Sequence, residues 1–144
     1  MQMFKKILVA YDGSEGAKLA LAKAGQIAQV GRAEIHVLTV GRIPEYAETV
    51  SKAQKAREQA KAFYSKIIED VSSLLKKQGL KANTRVEFGK PGDVILRVAE
   101  ELEVDLLVMG TKGPSALSER FLGTTVDKVV EHAHCSVLLE ATPG

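Results

Sequence analysis

Leu106-Leu107-Val108-Met109-Gly110-Thr111-Lys112-Gly113, joined by nine residues to Gly123-Thr124-Thr125, is the stretch whose reading decides the fold. Four consecutive apolar residues read as a buried parallel strand, and Val126, Val129, Val130 and Ala133 then recur at helical spacing. Between them lies a glycine-rich loop. Glycines let main-chain N–H groups approach an anion, and a Thr-Thr pair at a helix start adds hydroxyl donors to unpaired amides at the positive end of the dipole. A second polar turn, Asp12-Gly13-Ser14, follows the first apolar run, Ile7 to Tyr11. Strand, glycine loop and helix start in that order point to a place where backbone wraps a phosphate.

Working outward, short apolar runs alternate with helical patterns, the signature of βαβ units and a parallel sheet. The first strand covers Lys6 to Ala10, and the first helix begins near Ser14 with Ala17, Ala20, Leu21, Ala24, Ile27 and Ala28 on one face, stopped by Gly31. Strand 2 runs from Glu34 to Val40. A loop holding Gly41 and Pro44 leads to a long helix that aligns Ala53, Ala56, Ala60, Phe63, Ile67, Val71 and Leu74, with Gly79 as its C′ residue. Strand 3, Asn83 to Phe88, alternates as an edge strand does, and the third helix starts at Pro91, with Val94, Ile95, Val98, Ala99 and Leu102 inward. The glycine-loop strand, the fourth helix and strand 5, Ser136 to Glu140, complete one domain over residues 1–144.

Ligands of open α/β sheets bind beyond the carboxyl ends of the strands where the order reverses. If the Asp12 turn and the Gly110 loop face one ligand, strands 1 and 4 are neighbours and the order is 3-2-1-4-5. The expected architecture is α/β, an open five-stranded parallel sheet with helices on both faces. The order 2-1-3-4-5 of receiver domains is rejected, because one Asp follows strand 1 and Gly89-Lys90 follows strand 3.

Composition excludes other classes. With 45% hydrophobic and 26% charged residues, 144 residues fill one core. Twenty basic against eighteen acidic side chains, without a block of one sign, point neither to nucleic acid nor to a membrane. Cys135, the one cysteine, packs a strand and fits a reducing compartment, so a cytoplasmic protein is expected. No run is long enough for a membrane span. The chain lacks G-x-x-x-x-G-K-[ST], H-E-x-x-H, G-x-S-x-G and H-x-G-H. His36 reads as a strand residue, and His132 and His134 suit the negative end of the fourth helix. Lys112 and Arg120 read as solvated loop charges placed where they could also help electrostatically, and Glu119, a candidate base for activating water, has nothing in the sequence to align it with a γ-phosphate. Asp12 with Glu15, and Thr124 with Asp127, also fit helix capping, a role compatible with ligand contact.

The chain resembles the universal stress protein family in its ATP-binding form, whose mark G-x2-G-x9-G-[ST] is met by Gly110, Gly113, Gly123 and Thr124. The opening Lys6 to Ser14, the Gly89-Lys90-Pro91-Gly92 helix entry and the closing His134 to Leu139 extend the resemblance over the whole chain. It implies a half-Rossmann, adenine nucleotide alpha hydrolase-like fold that binds ATP, ADP or AMP, with Mg near Asp12. Asp12 would lie by the ribose and the metal-phosphate region, Val40 would pair with adenine through its backbone, and Gly110 and Gly113 would approach ribose and phosphates. Gly123, Thr124 and Thr125 would bind phosphate oxygens. The resemblance departs at Pro114, where many relatives carry a basic residue. It also implies a homodimer through strand 5, whose Val137-Leu138-Leu139 edge holds no proline and only Glu140 as a charge. The leading function is a nucleotide-dependent regulatory or interaction module in the stress response, signalling to a protein partner. The alternatives are a slow ATPase or autophosphorylating enzyme and, third, an interaction protein without nucleotide.

Overall fold

The alternation of runs and glycines yields nine elements in a computed structural model, which describes residues 3–41, 50–111 and 123–143. They are β1 (Lys6–Ala10), α1 (Glu15–Gly31), β2 (Glu34–Gly41), α2 (Val50–Lys76), β3 (Ala82–Phe88), α3 (Pro91–Glu101), β4 (Leu106–Gly110), α4 (Thr124–His132) and β5 (Ser136–Glu140). The strands form one parallel sheet in the order β3-β2-β1-β4-β5, as the ligand argument required.

Successive strand side chains point to opposite faces, which divides the core in two. Ile7, Val9, Tyr11, Ile35, Val37, Leu106 and Val108 pack with Ala17, Ala20, Leu21 and Ala24 of α1 and Val71 and Leu75 of α2. Leu8, Leu38, Leu107 and Met109 meet Val94, Ile95 and Val98 of α3 and Val126 and Val129 of α4 on the other face. β1 and β4, flanked on both sides, are apolar at every central position, as doubly covered parallel strands must be.

Several local expectations are corrected. Gly31 ends α1, but the left-handed residue is Arg32, φ 55°, and Ala33 N donates to Ala28 O at 3.1 Å. Gly79 is the C′ residue of α2 as expected: at φ +71° it donates to Lys76 O (3.0 Å) while Leu80 N reaches Leu75 O (3.0 Å), the paired bonds of a Schellman motif. Gly41 belongs to β2, not to the loop, and Pro44 lies outside the described residues. Val130 is 51% exposed, because the apolar stripe of α4 is narrower than its periodicity suggests. Phe63 is 63% exposed for a different reason. Tyr64 sits level with Gly41, the last residue of β2, and the fourteen-residue step back to Val50 carries α2 about 20 Å past the strand ends at ~1.5 Å per residue.

Glu87 on β3 accepts hydrogen bonds from Arg97 (2.8 Å) and Arg85 (3.0 Å), which hold its carboxyl below the usual carboxylate range. A depressed folded pKa stabilises above the unfolded value and loses that contribution as pH falls through the folded one. Glu87→Gln should therefore flatten the decline of urea-unfolding stability below about pH 4 by removing, near neutrality, the same modest contribution, modest because the ion pairs are partly exposed. An unchanged acid limb would show the cluster to be energetically idle.

Candidate functional site

The carboxyl ends of β1, β2 and β4 converge with the starts of α1 and α4. Asp12 is exposed and does not cap α1. Its Oδ1 accepts from Ser14 N (2.9 Å), and Ser14 is the N-cap, its Oγ accepting from Ala17 N (3.2 Å). The Asp12–Glu15 pairing expected from spacing is therefore replaced by an Asx turn followed by a serine cap. Gly13 between them sits at φ +83°, where a side chain is strained. The second carboxylate oxygen of Asp12 has no hydrogen-bond partner among the described residues. Among the described residues no cluster of three or more His, Cys, Asp or Glu could hold a metal by itself.

Val40 gains its place from strand pairing. Residues of a strand inside a parallel sheet turn their N–H and C=O alternately to the two neighbours. Leu38 O accepts from Tyr11 N (2.9 Å) on the β1 side, and Gly41 O accepts from Gly89 N (3.1 Å) on the β3 side. Val40 therefore turns both groups toward β1, at the height where β1 has ended at Ala10 and the chain departs through Asp12. Neither group has a backbone partner among the described residues. A donor and an acceptor side by side in a gap match one hydrogen-bonding edge of a nucleobase.

α4 opens with Gly123 as its N-cap, φ 92° and ψ 156°, and not with Thr124. Thr124 and Thr125 are the first two helical residues, so Asp127 lies one position further in than the capping pair required; its N–H makes the bond to Gly123 O (3.0 Å). Gly123 has no side chain with which to cap the helix, and the amides of Thr124, Thr125 and Val126 have no intrahelical acceptors. The φ/ψ of Gly123 belongs to a region that is essentially glycine's, and no described residue lies within 4 Å of a Cβ built there, so the glycine serves backbone shape.

Gly110 is different. A Cβ at this position would meet the backbone of Gly16, with C at 2.7 Å, O at 2.8 Å and Cα at 3.0 Å. Close packing of α1 on β4 thus accounts for this glycine, and Gly16, which sequence reasoning missed, is its counterpart. The available signal was a glycine in the first turn of an otherwise alanine-rich helix. Gly113, Lys112, Pro114, Glu119 and Arg120 lie outside the described residues.

Burial raises the pKa of Tyr11, with the Asp70 and Asp12 carboxylates adding to it, so its hydroxyl stays protonated beside the site. Cys135 is half-buried against the α3/α4 core, and burial, with Asp105, keeps its thiol protonated, in line with a packing role. His36 lies near the start of its strand, Nε2 3.4 Å from Glu34 Oε2, five residues before the carboxyl end of β2.

Comparison with known proteins places this geometry. The sequence pattern of the Universal stress protein family matches residues 3–139. The universal stress protein YxiE of Bacillus subtilis (strain 168) is 34% identical over 148 residues, covering 95% of this chain and 99% of the relative. The solved structure of the hypothetical protein MJ0577 superposes with a TM-score of 0.90 at 25% identity over 99% of both chains. A universal stress protein crystallised in complex with cAMP superposes with a TM-score of 0.75 at 26% identity, covering 97% of this chain and 98% of the other.

Proposed function

The chain belongs to the universal stress protein family, and from that premise we propose that it binds an adenine nucleotide across the ends of β2, β1 and β4 and acts as a nucleotide-dependent regulatory or interaction module of the cytoplasm. The observation that carries this reading is the Val40 edge, a donor and an acceptor left open where β1 turns away. The uncapped start of α4 follows β4, two strands from β2, about 10 Å away at ~4.8 Å per strand, a distance that a mononucleotide spans. The base would then sit at Val40, the ribose near Asp12, and the phosphates at Gly123, Thr124 and Thr125, with Gly113 of the same motif; Asp12 would be the residue to hold a Mg ion brought by the nucleotide, which would offset phosphate charge. The complex of a relative with cAMP supports the adenine half of this assignment.

The same edge logic extends to assembly. Among the described residues β5 pairs only with β4, and Thr111 N reaches Glu140 O (3.3 Å), so Ser136, Leu138 and Glu140 turn their backbone groups inward while Val137 and Leu139 turn theirs outward. Antiparallel pairing of two such edges about a two-fold axis gives a homodimer that satisfies them and sets two nucleotide sites in fixed relation for a protein partner to read.

Calorimetry with ATP, ADP and AMP, and mass spectrometry of nucleotide released from freshly purified protein, test the binding. Saturable 1:1 binding per chain is expected, and absence of binding for all three overturns the reading. The sequence holds no P-loop motif with its lysine, so ATP turnover should fall far below the ~1–100 s⁻¹ of dedicated kinases. A rate in that range, abolished by Asp12→Ala, would make it an ATPase or autophosphorylating enzyme instead.

A further inference from the structure

We propose that Phe63, with Tyr64 behind it, forms an aromatic wall that holds the purine base of the bound nucleotide from the α2 side, a contact that the glycine motif does not include. The proposal rests on the nucleotide reading above and adds a binding residue to that site. Gly13 lies on the turn next to Asp12, and a Cβ built on it would touch Ile67 Cδ1 at 3.8 Å. Residues four apart stack on one helix face, so Phe63 lies one turn from Ile67 toward the start of α2, the end that has passed the strand ends. It thus stands beyond the Asp12-Gly13 turn, alongside the gap into which Val40 turns its N–H and C=O.

Tyr64 closes the neighbouring position. Its Cε2 comes within 2.6 Å, and Phe88 Cε1 within 2.8 Å, of a Cβ built on Gly41, so both rings lie directly on the backbone next to Val40. Tyr64 packs edge-to-face on Phe88 (centroids 6.4 Å) and on Phe63 (5.1 Å, 83° between planes). The Phe63 ring contacts Tyr64 while 63% of the residue stays exposed. An aromatic face buttressed by a neighbour, open to solvent and next to a donor and an acceptor that are unpaired among the described residues, meets both requirements of base recognition: an edge to hydrogen-bond and a π-face to stack. The other aligned side chains before it in α2, Ala53, Ala56 and Ala60, are too small to supply that face.

The test uses the whole chain and three probes: adenosine, ATP and inorganic tripolyphosphate. Phe63→Ala should weaken adenosine and ATP alike by about tenfold, the usual scale of one base-aromatic stack, and leave tripolyphosphate unchanged. Its exposure predicts an unchanged unfolding midpoint. Phe63→Trp should restore affinity and introduce the only tryptophan of the chain, whose emission adenosine should quench and tripolyphosphate should not. Wild-type affinity for adenosine in Phe63→Ala, or unquenched emission in a Phe63→Trp protein that binds adenosine, overturns the aromatic wall alone. Failure of the wild-type protein to bind adenosine and ATP overturns the nucleotide reading, and the wall with it.

Discussion

Gly110→Ala is expected to destabilise the protein by about 3 kcal/mol, lowering Tm by about 10 °C. The added methyl would fall 2.7 Å from the carbonyl carbon of Gly16, and backbone cannot rotate out of the way as a side chain can. Either α1 lifts from β4 or β4 shifts in a sheet where Leu107 and Val108 are fully buried. Lifting α1 also carries the Asp12-Gly13-Ser14 turn away from α4, so nucleotide affinity should drop together with stability. Gly31→Ala is the control: at the last position of α1 its nearest neighbour is Phe4 O at 3.9 Å, so the added methyl should be neutral or slightly stabilising. Thermal unfolding of the two variants separates crowding from the general effect of losing a glycine. If Gly110→Ala melts with the wild type, the α1–β4 contact is not what requires this residue.

The second large effect concerns β5, and it depends on which way each N–H points. Leu138 turns its N–H to β4, opposite Val108, so Leu138→Pro breaks the ladder inside the subunit and should unfold it, at a cost of about 3 kcal/mol or more. Leu139 turns its N–H outward. Leu139→Pro should spare the ladder and remove a donor at the centre of the proposed subunit interface, leaving a folded monomer by light scattering and circular dichroism. Because Leu139 also packs on the α3/α4 core, Leu139→Ala serves as the packing control and should remain a dimer. A folded, dimeric Leu139→Pro would mean that the subunits meet elsewhere. Unfolding of both proline variants, with Leu139→Ala stable, would show instead that the β4–β5 ladder tolerates proline at neither position.

Strand order was legible because the argument needed only two loops, at Asp12 and Gly110, and the rule that a ligand lies where the order reverses. Spacing fits Asp12 and Thr124 as caps, whereas Ser14 caps α1 and Gly123 caps α4, because the choice falls to φ/ψ values that no residue type dictates alone. Phe63 fits the apolar stripe of α2 in the sequence yet lies in solvent, since periodicity shows which face is apolar but not where the sheet beneath it ends.

By itself the sequence determined the elements, the parallel sheet and the glycine-threonine chemistry at the start of α4, because these follow from local propensity and from residue patterns of period 2 and 3.6. Tertiary structure alone decided that Gly110 answers to Gly16, that Val40 turns its hydrogen-bonding groups toward the end of β1, that Leu139 and not Leu138 faces outward at β5, and that Phe63 lies in solvent one helical turn from the Ile67 that faces Gly13. Each of these depends on register or distance between segments far apart in the chain, and residues that share a pattern along the sequence do not share a position in space until the sheet has formed.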